Sequence, residues 1–263
     1  MKAITIAYHD VLDGQRATPG AVYTLDLKQF RNHLLAIKQR QPPLTTIRRL
    51  RSWGEDVPVF LTFDDGASGG YTCCAGALEQ HQWRGHFFIT TDWIGRPGYM
   101  NREQIRELHD RGHVIGSHSC SHPEWMSHLS THELVREWKD SCVVLSDIVG
   151  TSVRVASMPA GNYSPKVALA AAEAGIEVLF NSEPTSATAV VNGCLVLGRY
   201  CIQRSTPPEV SGAIAAGHLW PRWQQRMLWA IKKVPKRLGG ESYVTFRRRL
   251  LSRLMSLKRP ARQ

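Results

Sequence analysis

The alternation of short apolar segments with helical patterns along residues 3–202 limits the fold more than any other feature of this chain. Such alternation predicts repeated βα units, a parallel sheet and a protein of the α/β class. Seven strands are predicted, at residues 3–8, 57–63, 86–90, 113–117, 153–157, 176–180 and 195–202. This number favours a closed or nearly closed barrel, with an open doubly wound sheet as the competing architecture.

Capping residues mark the predicted helices between these strands. Three helices begin at a side chain that can accept hydrogen bonds from the first turn, with predicted spans 26–38, 101–112 and 130–150. Two more begin where a hydroxyl residue precedes a proline, at Ser164-Pro165 and Thr206-Pro207. These two helices are predicted to end at Gly175 and Gly217.

Basic residues are concentrated at the C-terminus. The chain carries a net charge of +11, and residues 222–263 contain 13 of its 33 Lys and Arg residues beside a single acid, Glu241. The preceding residues are close to neutral, with 20 bases against 21 acids. A nucleic-acid-binding domain more often spreads its charge over the folded surface, so we expect no specific nucleic-acid partner.

The cysteines and the apolar segments predict a cytoplasmic protein. The six cysteines form no C-x-x-C pair, which argues against a zinc knuckle and a dithiol redox site. The apolar run near Met1 is too short and too interrupted for a signal-peptide core. No later segment approaches the roughly 20 residues of a membrane span.

The chain is predicted to divide into a barrel domain at residues 1–217 and a basic helical extension at residues 218–263. Within residues 222–263 and just before them, apolar side chains recur at helical spacing, among them Trp220, Trp223 and Met227. Basic helices of this kind are suited to the headgroup layer of an anionic membrane, which favours a peripheral position on the inner face of the cell membrane. The alternative is that the apolar stripes dock onto the barrel.

Two adjacent carboxylates follow the predicted strand at residues 57–63. Asp64 and Asp65, followed by Gly66, lie where α/β proteins place their sites, at the carboxyl edge of a parallel sheet. One aspartate could bind a metal there while the other stays free. Asp and Gly are also common turn residues, so a simple turn is the alternative.

Two histidines four residues apart follow the predicted strand at residues 113–117. His118 and His122 can converge on one ion, and a carboxylate such as Asp65 would complete a set that leaves positions open for water and substrate. Iron oxygenases also use two histidines and one carboxylate, but they usually have β-sandwich folds, contrary to the alternation here. The histidine spacing therefore favours a metal site on a βα protein.

Three segments carry a resemblance: TFDDG at residues 62–66, HSCSH at 118–122 and MPAGNYS at 158–164. They resemble the successive motifs of the polysaccharide deacetylase (NodB-homology, carbohydrate esterase 4-like) family, over roughly residues 3–205. The resemblance implies a distorted seven-stranded (β/α) barrel and metal-dependent hydrolysis of an N-acetyl or related acyl group on a sugar. The third segment and Tyr8-His9-Asp10 are similar to a subgroup associated with bacterial surface-polysaccharide (exopolysaccharide) biosynthesis.

The resemblance also implies residue roles. Asp65, His118 and His122 would ligate a divalent metal, zinc first, with cobalt, nickel, manganese or iron as alternatives, and Asp64 would be the catalytic base. A bound ion lowers the pKa of its water from about 16 toward 7, so a free carboxylate can complete the deprotonation.

The oxyanion and the sugar need further groups. A backbone N–H near Gly66 or Tyr163 would stabilise the oxyanion, and Pro159 and Gly161 belong to the same predicted substrate-binding region. Aromatic side chains that follow strand ends could stack on a sugar ring, namely Trp93, Tyr99, Trp125 and Tyr163.

Departures from the family pattern concern the groups around the base and the leaving amine. Ser157 stands where many members have an arginine that orients the free aspartate, unless Arg154 or Arg199 substitutes, and Ala160 replaces an aromatic residue. The late Leu-x-His motif that supplies a general acid has no clean counterpart. His9 is the first candidate for that acid, because it would emerge on the same face as Asp64, and His218 is the second.

These features predict a metal-dependent carbohydrate N-deacetylase that acts on an amino-sugar-containing glycan or lipid-linked saccharide during surface-polysaccharide assembly. A close rival is a deformylase of a lipid-linked amino sugar, which would use the same four residues and a smaller acyl pocket. A catalytically weakened binding or scaffold protein is the alternative from another class. Ser157, Ala160 and the absent acid favour it, whereas the intact metal and base residues oppose it.

Overall fold

The computed structural model describes residues 1–14, 21–48, 56–161 and 163–230. Its strands are β1 (Ile4–Tyr8), β2 (Val11–Leu12), β3 (Leu25–Asp26), β4 (Val59–Phe63), β5 (His86–Ile89), β6 (Val114–Ser117), β7 (Val155–Ser157), β8 (Val178–Phe180), β9 (Thr188–Val191), β10 (Cys194–Leu197) and β11 (Tyr200–Cys201). Its α-helices are α1 (Leu27–Lys38), α2 (Gly76–Glu79), α3 (Arg102–Asp110), α4 (Thr131–Val149), α5 (Pro165–Glu173) and α6 (Pro208–Ala215). A π-helical turn, Gly70–Ala75, runs directly into α2.

Nine strands form one curled sheet in the order β11-β1-β4-β5-β6-β7-β8-β10-β9. All neighbours are parallel except β9 and β10. The two ends of the parallel part are joined by a single stretch of chain, because β10 pairs with β8 and β11, two residues later, pairs with β1. The prediction of a distorted seven-stranded (β/α) barrel is confirmed, with the last predicted strand, 195–202, observed in two pieces.

The break in this last strand lies at Gly198 and Arg199. A side chain at position 198 would collide with backbone, since a Cβ there would lie 2.4 Å from the carbonyl oxygen of Glu183. The Arg199 N–H donates to the same oxygen at 2.9 Å. The strand therefore leaves β8 at this point and rejoins β1, and the Arg199 side chain is buried at the junction.

Side-chain alternation along the strands separates an apolar layer from a polar one. Because every second residue of a strand shares a face, Phe60 lies below Thr62 and Asp64 on one face of β4. Phe60, Phe88 and Phe180 pack together, with ring centroids 5.4 Å apart for Phe88 and Phe180 and 6.2 Å apart for Phe60 and Phe180. Above this aromatic layer the buried residues are polar, which places the strongest charges at the carboxyl ends of the strands.

Three predicted helix starts are observed with complete capping boxes, at Asp26, Asn101 and Ser130. Ser164 precedes α5 as predicted, although its side chain makes no capping hydrogen bond. The start predicted at Thr206-Pro207 is wrong by one residue. The helix α6 begins at Pro208, and the hydroxyl of Thr206 instead accepts a hydrogen bond from the N–H of Gln203 at 3.0 Å. The short strands β2, β3 and β9 were not predicted.

Residues 219–230 are helical. By its packing, the chain divides into a compact unit from Met1 to Arg222 and a second unit that begins at Trp223, so the boundary predicted at 217/218 stays a prediction. Within the described residues, no helix is long and apolar enough to cross a membrane. Apolar side chains also recur at helical spacing within residues 243–257, which lie outside the described residues, as do residues 49–55.

Candidate metal and catalytic site

Strand register brings the candidate residues to one edge of the barrel. Tyr8 pairs with Phe63, and the N–H of Asp64 donates to the carbonyl of Tyr8 at 3.1 Å, so His9 and Asp64 leave neighbouring strands side by side. Two strands further along, the N–H of His118 donates to the carbonyl of Ile89 at 2.9 Å. The residues that follow β1, β4 and β6 therefore meet above the aromatic layer.

Asp65, His118 and His122 converge on one point. The Oδ1 atom of Asp65 lies 3.4 Å from Nε2 of His118 and 3.5 Å from Nε2 of His122, and the three ligand atoms lie within 4.8 Å of one another. Ligands bound to zinc at about 2.0–2.1 Å in a tetrahedron are separated by roughly 3.4 Å. Both the donor types and their spacing therefore fit a divalent ion such as zinc.

Hydrogen bonds and charge make the side chains of His118 and Asp65 suitable ligands for a cation. The Nδ1 atom of His118 lies 2.9 Å from the carbonyl oxygen of Ser157, so donation there leaves the lone pair of Nε2 directed toward Asp65. Burial raises the pKa of the Asp65 carboxyl, but the adjacent His118 and His122 outweigh burial and hold the pKa below its usual value. Asp65 is thus an anion that faces two imidazole nitrogens.

The backbone around these residues adopts left-handed conformations, which residues other than glycine rarely adopt. The φ angles of Asp65 and His122 are 73° and 58°, both in the left-handed region, and Ser119 between the histidines has φ 65°. Gly66 has φ 80°, and a Cβ there would lie 3.1 Å from Cγ2 of Ile89. Non-glycine residues held in this region cost of order 1–3 kcal/mol each and concentrate at functional sites.

Asp64 is buried beside an arginine and a serine. Its side chain is 4% exposed, and its Oδ1 accepts hydrogen bonds from Nη1 of Arg199 at 2.6 Å and from Oγ of Ser157 at 3.0 Å. Burial raises the pKa of Asp64, but the charges of Arg199, His118 and His9 outweigh it and keep the pKa below its usual value. Asp64 is therefore an ionised carboxylate that lies outside the group formed by Asp65, His118 and His122.

The arginine beside Asp64 comes from the closing strand. Arg154, the other residue considered for this place, forms an exposed ion pair with Glu177 at 2.8 Å. Arg199 is 1% exposed, and its Nε also donates to the carbonyl of Asn181 at 2.9 Å. Ser157, at the family's usual arginine position, contacts both Asp64 and, at 2.6 Å, Nδ1 of His118.

His9 and His218 lie at different ends of the barrel. His9 follows β1, its ring stacks on Tyr23 with centroids 4.6 Å apart, and its Nδ1 is buried without a hydrogen-bond partner among the described residues. Burial lowers the pKa of His9, against the opposing effect of the Asp64 and Asp65 charges. His218 is exposed, and its neighbour Gly217 lies against Ile4 at the start of β1. The geometry brings His9, and not His218, to the candidate site.

The third segment forms a tight turn after β7. Pro159–Gly161 is a single 3-10 turn, with Ala160 at φ 55° and Gly161 at φ 72°. A Cβ at Gly161 would lie 3.1 Å from Cβ of Ser182. Tyr163 is half-buried and packs against the main apolar core, and Asn162 lies outside the described residues.

Two of the aromatic residues considered for sugar stacking contact histidines. The ring of Trp93 stacks on His122 with centroids 4.9 Å apart, and Tyr99 packs on Trp93 at the same centroid distance. Trp125 stacks on His128 at 5.1 Å. The contact between Trp93 and His122 was not predicted, since no short-range sequence pattern joins residues 29 positions apart.

The described geometry can be compared with known proteins. Residues 54–179 match the family model described as polysaccharide deacetylase. Over these residues, just under half of the chain, the sequence is similar to the polysaccharide deacetylase family. Its fold is similar to that of the Streptococcus pyogenes deacetylase PplD in complex with acetate, with a TM-score of 0.68, 20% identity and coverage of 80% of this chain and 96% of that chain.

Two curated relatives extend the comparison. YxkH of Bacillus subtilis is 26% identical over 162 residues, which are 61% of this chain and 56% of YxkH. A peptidoglycan-N-acetylglucosamine deacetylase of Bacillus cereus is 30% identical over 105 residues, which are 40% of this chain and 36% of the relative. The chain thus spans about half or less of the length of these polysaccharide deacetylase relatives.

We expect Arg199→Met to lower the free energy of unfolding by about 3–5 kcal/mol, because it leaves the buried Asp64 carboxylate without its countercharge. The double variant Arg199→Met/Asp64→Asn should recover much of this loss, since an amide needs no countercharge. Chemical denaturation followed by circular dichroism measures both. Arg154→Met, in an exposed ion pair, is the control and should change stability by no more than about 1 kcal/mol. Equal losses of unfolding free energy in the two arginine variants would contradict the assignment of Arg199 as the countercharge of Asp64.

Proposed function

We propose that this chain is a metal-dependent hydrolase that removes an N-acetyl group from an amino sugar in a polysaccharide precursor. One observation carries the proposal: three ligand atoms converge at Asp65, His118 and His122, while the ionised carboxylate of Asp64 stands beside them in a separate hydrogen-bond network. A metal triad accompanied by a free base is an arrangement that can catalyse amide hydrolysis. The match of residues 54–179 to the polysaccharide deacetylase family model supports the same reaction.

Asp65, His118 and His122 would hold the ion, for which zinc is our first choice and cobalt, nickel, manganese and iron are alternatives. A divalent ion at this site would acidify a water molecule and polarise the acyl carbonyl. The carbonyl of Ser157 fixes the tautomer of His118, and this kind of support around a ligand histidine sets its orientation and basicity.

Asp64 would act as the base that takes a proton from the attacking water. Its lowered pKa keeps it ionised at neutral pH, and the hydrogen bonds from Arg199 and Ser157 hold the carboxylate in place. A base of this kind must lie within hydrogen-bond reach of the proton it removes and keep its geometry through the reaction. Arg199 and Ser157 are therefore positioning residues in this proposal.

The oxyanion and the acyl group would be bound between two backbone turns. Gly66 follows the metal ligand Asp65, and Pro159–Gly161 forms the turn after β7. Backbone N–H groups near Gly66 or Tyr163 would donate to the developing oxyanion. Small residues at 66 and 161 allow close approach of the backbone, since side chains there would meet Ile89 and Ser182.

His9 would donate a proton to the leaving nitrogen. In the overall reaction the C–N bond of the amide breaks, a bond forms between the acyl carbon and the water oxygen, and the amine leaves with a proton. Two features support His9: it follows β1 beside Asp64, and its Nδ1 is buried without a hydrogen-bond partner among the described residues.

The substrate would be an amino-sugar-containing glycan, and we propose a lipid-linked saccharide as its form. A relative named for N-acetylglucosamine in peptidoglycan and a fold relative in complex with acetate support an N-acetylated sugar and acetate as the product. The subgroup resemblance favours surface-polysaccharide assembly. A deformylase would act at the same four residues and would release formate.

We expect purified protein to release acetate from N-acetylated amino-sugar oligosaccharides and lipids, and Asp64→Asn to lower the rate by about 10²–10⁴ through loss of the base. Acetate, formate and bound metal are measured on the same samples. Metal content should be unchanged in Asp64→Asn, because Asp64 is not in the triad. Formate in place of acetate would identify a deformylase. Stoichiometric metal without any acid released would support a binding protein and contradict the proposal.

We expect His9→Gln to lower kcat by about 10²-fold or more while metal content stays unchanged, because general acid catalysis contributes roughly 10²–10⁴. His218→Gln is the matched control, since this exposed histidine neighbours Gly217 at the other end of β1, and it should retain full activity. Retention of activity in His9→Gln, or its loss in His218→Gln, would refute the assignment of the acid.

We further propose that the helix at residues 219–230 binds the anionic inner face of the cell membrane. Leu219, Trp220 and Trp223 are 78%, 65% and 51% exposed, and Arg226 lies on the same helix, whereas Arg222 is hydrogen-bonded to Tyr200 and Gly217. Tryptophan suits the headgroup layer, and each basic residue near an anionic surface contributes about 1 kcal/mol. The 11 further basic residues in the rest of 222–263 would add to the attraction to an anionic surface.

We expect the full chain to float with vesicles of mixed phosphatidylcholine and phosphatidylglycerol, and to float much less with phosphatidylcholine alone or at high salt. Trp220→Ala/Trp223→Ala should lower the bound fraction several-fold. Val143→Ala/Leu169→Ala, which also removes exposed apolar side chains, is the control and should bind like the wild type. Equal failure of the wild type to bind both vesicles would exclude the membrane proposal.

A further inference from the structure

The segment between the two candidate ligand histidines is an irregular turn. Ser119 and His122 both have positive φ, and the N–H of His122 donates to Oγ of Ser119 at 3.0 Å. Ser119 in turn donates its N–H to Oγ of Ser117 at 3.1 Å. Because two non-glycine residues sit in a costly conformation, contacts from outside the turn must hold it.

Glu137 on α4 supplies the largest set of such contacts. Its Oε2 accepts hydrogen bonds from the N–H groups of Cys120 at 2.8 Å and Ser121 at 3.0 Å, and its Oε1 accepts from the hydroxyl of Ser121 at 2.7 Å. One turn further along α4, the hydroxyl of Ser141 lies 2.7 Å from that of Ser117. Hydrogen bonds to an ionised carboxylate are about twice as strong as neutral ones.

We propose that Glu137 is a positioning residue for metal binding. By fixing the backbone at Cys120 and Ser121, it fixes the direction in which the chain enters His122, and so sets Nε2 of His122 at 3.5 Å from Oδ1 of Asp65. His118 does not need this support, since its N–H is bound to the carbonyl of Ile89 and its Nδ1 faces Ser157. The inference rests on the proposed metal site and adds a residue that touches no ligand atom.

The geometry explains why a carboxylate is required. Three donors approach the two oxygens of Glu137, and two of them are backbone N–H groups that share Oε2. A glutamine offers one neutral acceptor oxygen, and its NH₂ group can contact the Ser121 hydroxyl only if that hydroxyl accepts instead of donating. Glu137→Gln therefore keeps the size of the side chain and removes the charge that strengthens all three hydrogen bonds.

We expect Glu137→Gln to raise the dissociation constant for Zn²⁺ by about 10- to 100-fold, the range found when groups that orient metal ligands are removed. Competition with a chromogenic chelator measures it, and the absorption spectrum of the Co²⁺-loaded protein reports the ligand geometry. Asp140→Asn is the matched control: it removes an exposed carboxylate three residues along the same helix and should leave the affinity unchanged. Thermal melting of the metal-free proteins is recorded in parallel.

A purely structural role would lower the melting temperature of metal-free Glu137→Gln and leave the dissociation constant at the wild-type value, which would overturn the inference. Ser121→Ala removes one of the three hydrogen bonds at an exposed residue and should weaken Zn²⁺ binding by about threefold. If Glu137→Gln does not fold, Ser121→Ala tests the inference alone. Wild-type affinity for Zn²⁺ in Ser121→Ala would overturn the inference. Wild-type protein that binds no metal would refute the proposed function as well, whereas normal metal binding by both variants would refute only the role of Glu137.

Discussion

The buried ion pair between Asp64 and Arg199 is the interaction on which the barrel and its site both depend. Each charge would be strongly unfavourable there alone, because removing an ion from water costs several kcal/mol unless a partner and further hydrogen bonds compensate. Asp64 follows β4, and Arg199 lies at the break between β10 and β11. The contact that gives Asp64 its countercharge therefore also fixes the strand that closes the sheet.

Strand periodicity explains why a charged pair can stand at the top of an apolar barrel. Phe60 and Asp64 share a face of β4, two pleats apart, so the aromatic layer and the charged layer follow from one strand. The phenyl rings of Phe60, Phe88 and Phe180 fill the interior below. They fill the barrel on that side, so the polar groups above lie at the carboxyl edge of the sheet.

Sequence patterns within single segments predicted the features that depend mainly on neighbouring residues. The main strand positions, three helix caps and the convergence of Asp65, His118 and His122 could be predicted, because they depend on residues within single segments and on the rule that parallel strands end together. The partner of Asp64 was left open between Arg154 and Arg199, since it lies 135 residues away and depends on where the last strand breaks. Glu137 was missed because its three hydrogen bonds are to a loop 16 and 17 residues away and no motif marks it.

The contact between Asp64 and Arg199 also bears on whether Ser157 indicates a weakened enzyme. A carboxylate responds to the position and charge of its neighbours, and not to the strand from which they come. Asp64 stands where the ends of several strands converge, so a guanidinium from β7 or from the β10–β11 break can reach it. With Arg199 bound to Oδ1 at 2.6 Å and the Ser157 hydroxyl bound to the same atom at 3.0 Å, Asp64 has both a countercharge and a second donor. With serine at position 157, the positive charge beside Asp64 comes from Arg199 on another strand and is not lost. This argues against the interpretation of the chain as a weakened binding or scaffold protein, which Ser157 first favoured.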